Sequence, residues 1–237
     1  MPNQSIFYFD PFRDGDYTLH PKIGYTVRKV LPAYYTQYYN TITDINLNGT
    51  VAVGITYNSN TGTNTRVWID SLSHAFVNGA LRNISGLGLI TVPMDLTYTF
   101  SNCQNLTYIE SLPPQTTYLN AAFRNCTNLT TIPSIPDSVK YMGGTFYECT
   151  NLAGNIYIYS NQVINADSCF NNTTLQKNVY IPFTYENGEY TKTYNSFTSL
   201  GYDTTGTLDG VYLKDIAHIP SGSGGTPDPT PNPNTTK

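Results

Sequence analysis

The chain has 237 residues, of which 12% are charged and 21 are Tyr, and its formal net charge is −4. Its 12 Lys and Arg are scattered and form no basic stripe of the kind that neutralises phosphates, which excludes nucleic acid as a partner class. No stretch approaches the roughly 18 apolar residues of a membrane span, and four Cys in a chain of this length do not make a disulfide scaffold.

Residues 1–70 are read as a small N-terminal β-containing module that caps or attaches the rest. Its opening, MPNQSIFYFDPFRDGDYTLH, has neither the charged start nor the apolar run of a secretory leader, so a soluble product is expected. Asp10, Asp14 and Asp16 cluster in DPFRDGD, but EF-hand spacing and its terminal Glu are absent, and a solvated turn accounts for them. LPAYYTQYYNTITDINL is too aromatic and β-branched to assign to a helix, and its state stays open. Val51, Val53 and Ile55 alternate with small or polar residues, an Asn/Thr/Gly turn follows, and Val67 and Ile69 resume the alternation; this predicts a hairpin. Gly86 and Gly88 in ISGLGLI predict a tight bend entering the first full repeat.

Next comes an internal repeat over residues 71–217. Phe100, Phe123, Phe146 and Phe170 follow at intervals of 23, 23 and 24 residues, and each opens one phrase: Phe, two polar residues, Cys or Thr, then Leu. Cys103, Cys126 and Cys149 share one column, with Thr173 in the fourth copy, and Leu106, Leu129 and Leu152 share another. One copy places Phe123, Cys126, Leu129, Ile132, Ile135, Val139 and Met142 inward, and the copy before repeats the pattern 23 residues earlier. A long helix has similar spacing, but Pro113, Pro114, Pro133 and Pro136 would each cost it about 3 kcal/mol. A coil of short extended runs and turns survives, and stacking such coils about 4.8 Å apart turns each column into a ladder of like side chains.

The three-Cys column invites a metal or disulfide reading, and geometry disfavours both. Structural zinc needs four converging ligands, whereas the column offers three parallel thiols and the three His (His20, His74, His218) lie outside the repeats that carry it. Parallel Cβ atoms about 4.8 Å apart exceed the usual disulfide separation, and three thiols cannot all pair. The expectation is a small buried hydrophobe at a corner of the coil, where Thr173 can stand in, with no metal and no cofactor. Cys169, next to inward Phe170, is expected to face elsewhere as an isolated thiol.

In the segment read as the C-terminal cap, Glu186-Asn187-Gly188-Glu189 predicts a type I′ hairpin turn between aromatic strands. Residues 218–237 alternate Gly/Ser and regularly spaced Pro, which predicts an extended tail or linker.

The phrases SIPDSVKYMGGTFYECTNLAG and AAFRNCTNLTTIPSIPDSVKYM resemble the BspA-type leucine-rich repeat in several columns at once, over about residues 96 to 182. Weaker copies flank this span at Phe76 and Phe197. The resemblance implies a mainly β fold of the leucine-rich-repeat class: a solenoid with degenerate capping repeats. Repeats of this type occur in bacterial surface proteins and in phage structural proteins. It therefore implies adhesion or display and supplies no catalytic residues.

The resulting expectation is a non-enzymatic virion structural or adhesion protein, with a bacterial cell-surface adhesin binding host matrix or glycans as the alternative. Its partners would be other virion proteins, through the N-terminal module and the tail, and a host-surface protein or glycan through the repeats; an oligomer is compatible with this. Exposed Tyr among Asn, Ser and Thr suits adaptable recognition, which singles out Tyr108, Tyr147, Tyr157 and Tyr159. A glycan-active enzyme would need two carboxyl groups in one cleft. The coils between Phe100 and Phe170 offer only Glu110, Asp137, Glu148 and Asp167, at different repeat positions.

Overall fold

The computed structural model describes residues 26–29, 44–46, 53–58, 63–90 and 93–219. Asp10, Asp14, Asp16, His20, the segment 31–43, the first hairpin's loop 59–62 and residues 220–237 lie outside the described residues. The described chain is mostly strand with little helix. In chain order it forms β1 (Thr26–Lys29), β2 (Asp44–Asn46), β3 (Val53–Asn58), β4 (Thr63–Ser71), β5 (Asn83–Ser85), β6 (Met94–Asp95), β7 (Tyr108–Ile109) and β8 (Thr116–Tyr118). Then follow β9 (Gly154–Tyr157), β10 (Lys177–Ile181), β11 (Tyr185–Glu186), β12 (Glu189–Tyr190), helix α1 (Lys192–Thr198) and β13 (Val211–Asp215).

Strands pair in parallel, one repeat apart within the stack and at longer separations where β1, β2 and β13 join it. One sheet has the order β1-β4-β6-β8, a second β2-β5-β7 and a third β13-β10-β9. The predicted first hairpin forms as β3 antiparallel to β4, with Val53 opposite Trp68 and Asn58 opposite Thr63. The parallel stacking reaches into the N-terminal module, because β1 lies beside β4 and β2 beside β5.

The stacking continues beyond the strands as a backbone ladder. Leu119, Ala121, Phe123 and Asn125 donate their N–H groups to the carbonyls of Tyr141, Gly143, Thr145 and Tyr147 at 2.7–3.0 Å. The preceding copy repeats this, with Leu96, Tyr98, Phe100 and Asn102 donating to Tyr118, Asn120, Ala122 and Arg124. The local cause is a pair of left-handed residues per repeat, two before and two after the Phe: Tyr98 and Asn102, Ala121 and Asn125, Gly144 and Glu148, Ser168 and Asn172. Left-handed backbone costs an ordinary residue roughly 1–2 kcal/mol and Asn less, which fits Asn at most of the second positions. Between them, tight turns close within the repeat, as where Cys126 N–H meets the Phe123 carbonyl at 3.1 Å.

This backbone turns the Phe column inward. Phe76, Phe100, Phe123, Phe146 and Phe170 are buried and stack ring on ring at 5.9, 5.4, 5.8 and 5.5 Å, within 16° of parallel. Two expectations need correction. Ile132 is only half-buried at the edge of the core, in the loop between the turn closed by the Leu129 N–H on the Cys126 carbonyl and the parallel bridge at Ile135. Cys169 does not face away; it is fully buried in the column just before the Phe, with Ala75, Thr99, Ala122 and Thr145. Strand neighbours point to opposite faces, but the left-handed residue at Ser168 bends the chain so that two successive side chains enter the core.

At the C-terminal end the hairpin forms where predicted, β11 against β12, with Asn187 and Gly188 at φ 55° and 88°. The sixth Phe, Phe197, sits on a helix that sequence reading did not assign. Thr191 caps α1 by accepting from Tyr194 N–H. Phe197 still reaches the core and meets Phe170 at 6.2 Å, tilted by 34°.

Candidate recognition surface

The chemically suggestive side chains are engaged inside the stack. Cys103, Cys126 and Cys149 are fully buried, and their S–H groups donate to the carbonyls of Phe76, Phe100 and Phe123 in the preceding repeat at 3.0–3.1 Å. Burial pushes the Cys103 and Cys149 thiols up to about 12 and Cys126 well above its ordinary range, so these thiols stay protonated and unreactive. All four Cys are free. Thr173, in the Cys place of the next repeat, donates instead to the Phe170 carbonyl of its own turn. Leu106, Leu129 and Leu152 are buried beside this column.

Below Thr173 lies a group that sequence reading passed over. Lys177 is buried, and its ammonium donates to the carbonyls of Thr173, Leu175 and Asp209. Three carbonyls satisfy all three N–H donors. Desolvation pulls its pKa down to about 8, and the nearby Asp209 charge opposes this.

The outward positions form ladders of their own. His74 stacks on Tyr98 at 4.9 Å and Tyr118 on Tyr141 at 4.9 Å, while Tyr157 stacks at 5.0 Å on Tyr180, which is buried. The Arg124 guanidinium lies 4.5 Å from the Tyr147 ring centre, a cation–π contact between successive repeats. Asn125 donates its amide to Asn102 at 3.0 Å, and Asn102 to Asn78 at 2.9 Å.

Beyond these ladders, a cleft of about 790 Å³ opens where the chain after β9 faces the hairpin and the start of α1. Tyr159, Asn161, Gln162, Asn187, Glu189 and Tyr190 are among its lining residues. Gln162 is set by its backbone N–H on the Ser160 hydroxyl and by its amide on the Asp137 carbonyl. Tyr190 packs on Tyr194 at 4.3 Å and meets Tyr185 at 4.8 Å.

The repeat register, the ladder and the Phe and Cys columns coincide with a match to the family model for the BspA type leucine rich repeat region, in 6 copies over residues 73–198. The chain belongs to the BspA-type leucine-rich repeat family. The matched span takes in the six repeat-opening Phe: Phe76, Phe100, Phe123, Phe146, Phe170 and Phe197. No curated protein and no solved structure gave a significant match. Membership points to a surface or recognition repeat protein.

Of the four Tyr singled out on this BspA-type chain, only Tyr159 lines the cleft. Tyr108 stands exposed on β7, Tyr147 is covered by Arg124, and Tyr157 is occupied by Tyr180 and by the Asn155 amide. The structure gathers Tyr159 and Gln162 with Glu189 and Tyr190, which lie some thirty residues further along in a different sequence context. The aromatic residues flanking the Asn187-Gly188 turn were the available signal, since a hairpin projects its flanks together.

Proposed function

We propose that this chain is a non-enzymatic adhesion protein: a leucine-rich-repeat solenoid, with degenerate repeats at Phe76 and Phe197, that presents a recognition surface to a partner. The observation that carries the reading is the set of outward ladders, aromatic on aromatic and amide on amide, on a charge-poor surface. Stacked Tyr rings are rigid contact area that loses little entropy on binding, and Asn amides add directional hydrogen bonds. The interior supports the same reading, because its thiols are spent on backbone carbonyls. Among the described residues, the cleft is lined by one carboxylate, Glu189, whereas paired-carboxylate glycoside hydrolysis uses two.

In its specific form the proposal places the protein on a virion, with the N-terminal module and the tail as assembly contacts; display on a bacterial surface is the alternative. Mass spectrometry of purified particles and of cell-surface fractions tests this. Recovery from particles supports the virion form, recovery from the surface fraction alone supports the adhesin form, and absence from both overturns the proposal.

A further inference from the structure

The cleft beside the C-terminal hairpin has a chemistry that the ladders lack, and it rests on the adhesion reading above. We propose that it binds a neutral oligosaccharide, with Tyr159 and Tyr190 facing the apolar faces of sugar rings and Asn161, Gln162 and Glu189 meeting their hydroxyls.

Three observations converge on this ligand class. Both Tyr are partly exposed, at 37% and 43%, so ring surface remains for a ligand to cover. Tyr190 is held by neighbours rather than swinging in solvent: it packs on Tyr194, which is itself fixed edge-on by Phe183 at 4.9 Å. A ring already ordered loses little freedom when a sugar lies on it. The polar lining is mostly uncharged, and its two charges, Glu189 and Lys192, cancel, so nothing selects an anionic or cationic ligand. Amide and carboxylate oxygens accept from hydroxyls, and amide N–H groups donate to them, which is the complement a pyranose needs.

Size narrows the class further. A cleft of about 790 Å³ falls within the roughly 300–1,000 Å³ of small-ligand sites. The hairpin tip supplies one wall, and Asn187 and Gly188 fix that tip by their left-handed backbone.

The test is an array of neutral hexose- and N-acetylhexosamine-terminated oligosaccharides with their sialylated counterparts, probed with the full chain and followed by titration calorimetry on each hit. Wild type is expected to bind a subset of the neutral glycans. Tyr159→Ala and Gln162→Ala should each weaken that binding by about tenfold or more, with thermal melts unchanged. Tyr108→Ala, at a more exposed Tyr outside the cleft, should bind as wild type. Absence of neutral hits, binding of sialylated glycans only, or full binding by both cleft variants overturns the proposal. Adhesion to intact target surfaces, assayed before and after periodate oxidation of their glycans, separates the two readings. Adhesion that survives oxidation removes the cleft proposal and keeps the adhesion reading, whereas no adhesion to untreated surfaces counts against the adhesion reading itself.

Discussion

Raising the pH from 9 to 10 is expected to remove about 3 kcal/mol of stability, and the buried cysteines carry the loss. Burial raises the thiol pKa values of Cys103 and Cys149 from 9.0 to about 12 and shifts Cys126 and Cys169 upward as well. Between 9 and 12 the unfolded chain therefore ionises thiols that the folded chain keeps protonated. The folded state binds more protons, so stability is fully present below pH 9 and falls as pH rises through that window. Each thiol contributes about 1 kcal/mol of loss from pH 9 to 10, hence about 4 for the four. Lys177 works in the opposite direction. Its pKa is lowered from 10.5 to about 8, so between those values the unfolded chain binds the extra proton and stability rises, by about 1 kcal/mol over the same interval.

The assay is urea denaturation under reducing conditions at pH 7, 9 and 10. Wild type should lose about 3 kcal/mol between the last two, a large part of the 5–15 kcal/mol typical of a domain. Cys126→Thr borrows the residue that already stands at Thr173 and should lose about 1 kcal/mol less over the same interval. A flat profile from pH 9 to 10, or a profile unchanged in Cys126→Thr, would refute the buried-thiol account.

Three further outcomes follow from the packing. Phe123→Ala removes a fully buried ring stacked on both sides, at 5.4 and 5.8 Å, and should cost roughly 3–5 kcal/mol in denaturant melts; a loss below about 1 kcal/mol would reject the stacked register. The left-handed column before the Phe gives a matched pair: Ser168 is exposed at φ 56°, and Gly144 sits at φ 61° with open space where a Cβ would go. Ser168→Gly should stabilise by about 0.5–1 kcal/mol and Gly144→Ala destabilise by a similar amount, because left-handed strain outweighs the unfolded-state entropy of Gly; thermal melts in which both changes go the same way would contradict this. Lys177→Met keeps the aliphatic stem but strands three carbonyls, and should lower the urea midpoint at pH 7, while removing the stabilising alkaline contribution assigned to Lys177.

The repeat was legible because a stacked fold writes its core into the sequence at a fixed period. Phe100, Phe123, Phe146 and Phe170 recur on one coil's length, and the Pro residues between them forbid the helical alternative that shares the spacing. The hairpin at Asn187-Gly188 was legible for a local reason, since few residue pairs accept positive φ at two successive positions. Helix α1 was not, because its seven residues offer too little periodicity to register, and its place depends on Phe197 reaching the stack.

Tertiary structure alone decided what each column does. Sequence placed Cys103, Cys126 and Cys149 in register, but only the offset between repeats puts each S–H against the preceding Phe carbonyl, which makes the thiols donors in a backbone ladder. The same holds for Cys169, turned inward by left-handed Ser168, and for Lys177, whose three carbonyl partners include one 32 residues away at Asp209. The cleft depends on that distance most of all. Tyr159 and Tyr190 belong to no common motif, and they line one cleft because the hairpin faces the chain after β9. A periodic sequence specifies the columns that stack on themselves, whereas a site made where the period ends is specified only by how the last repeats pack.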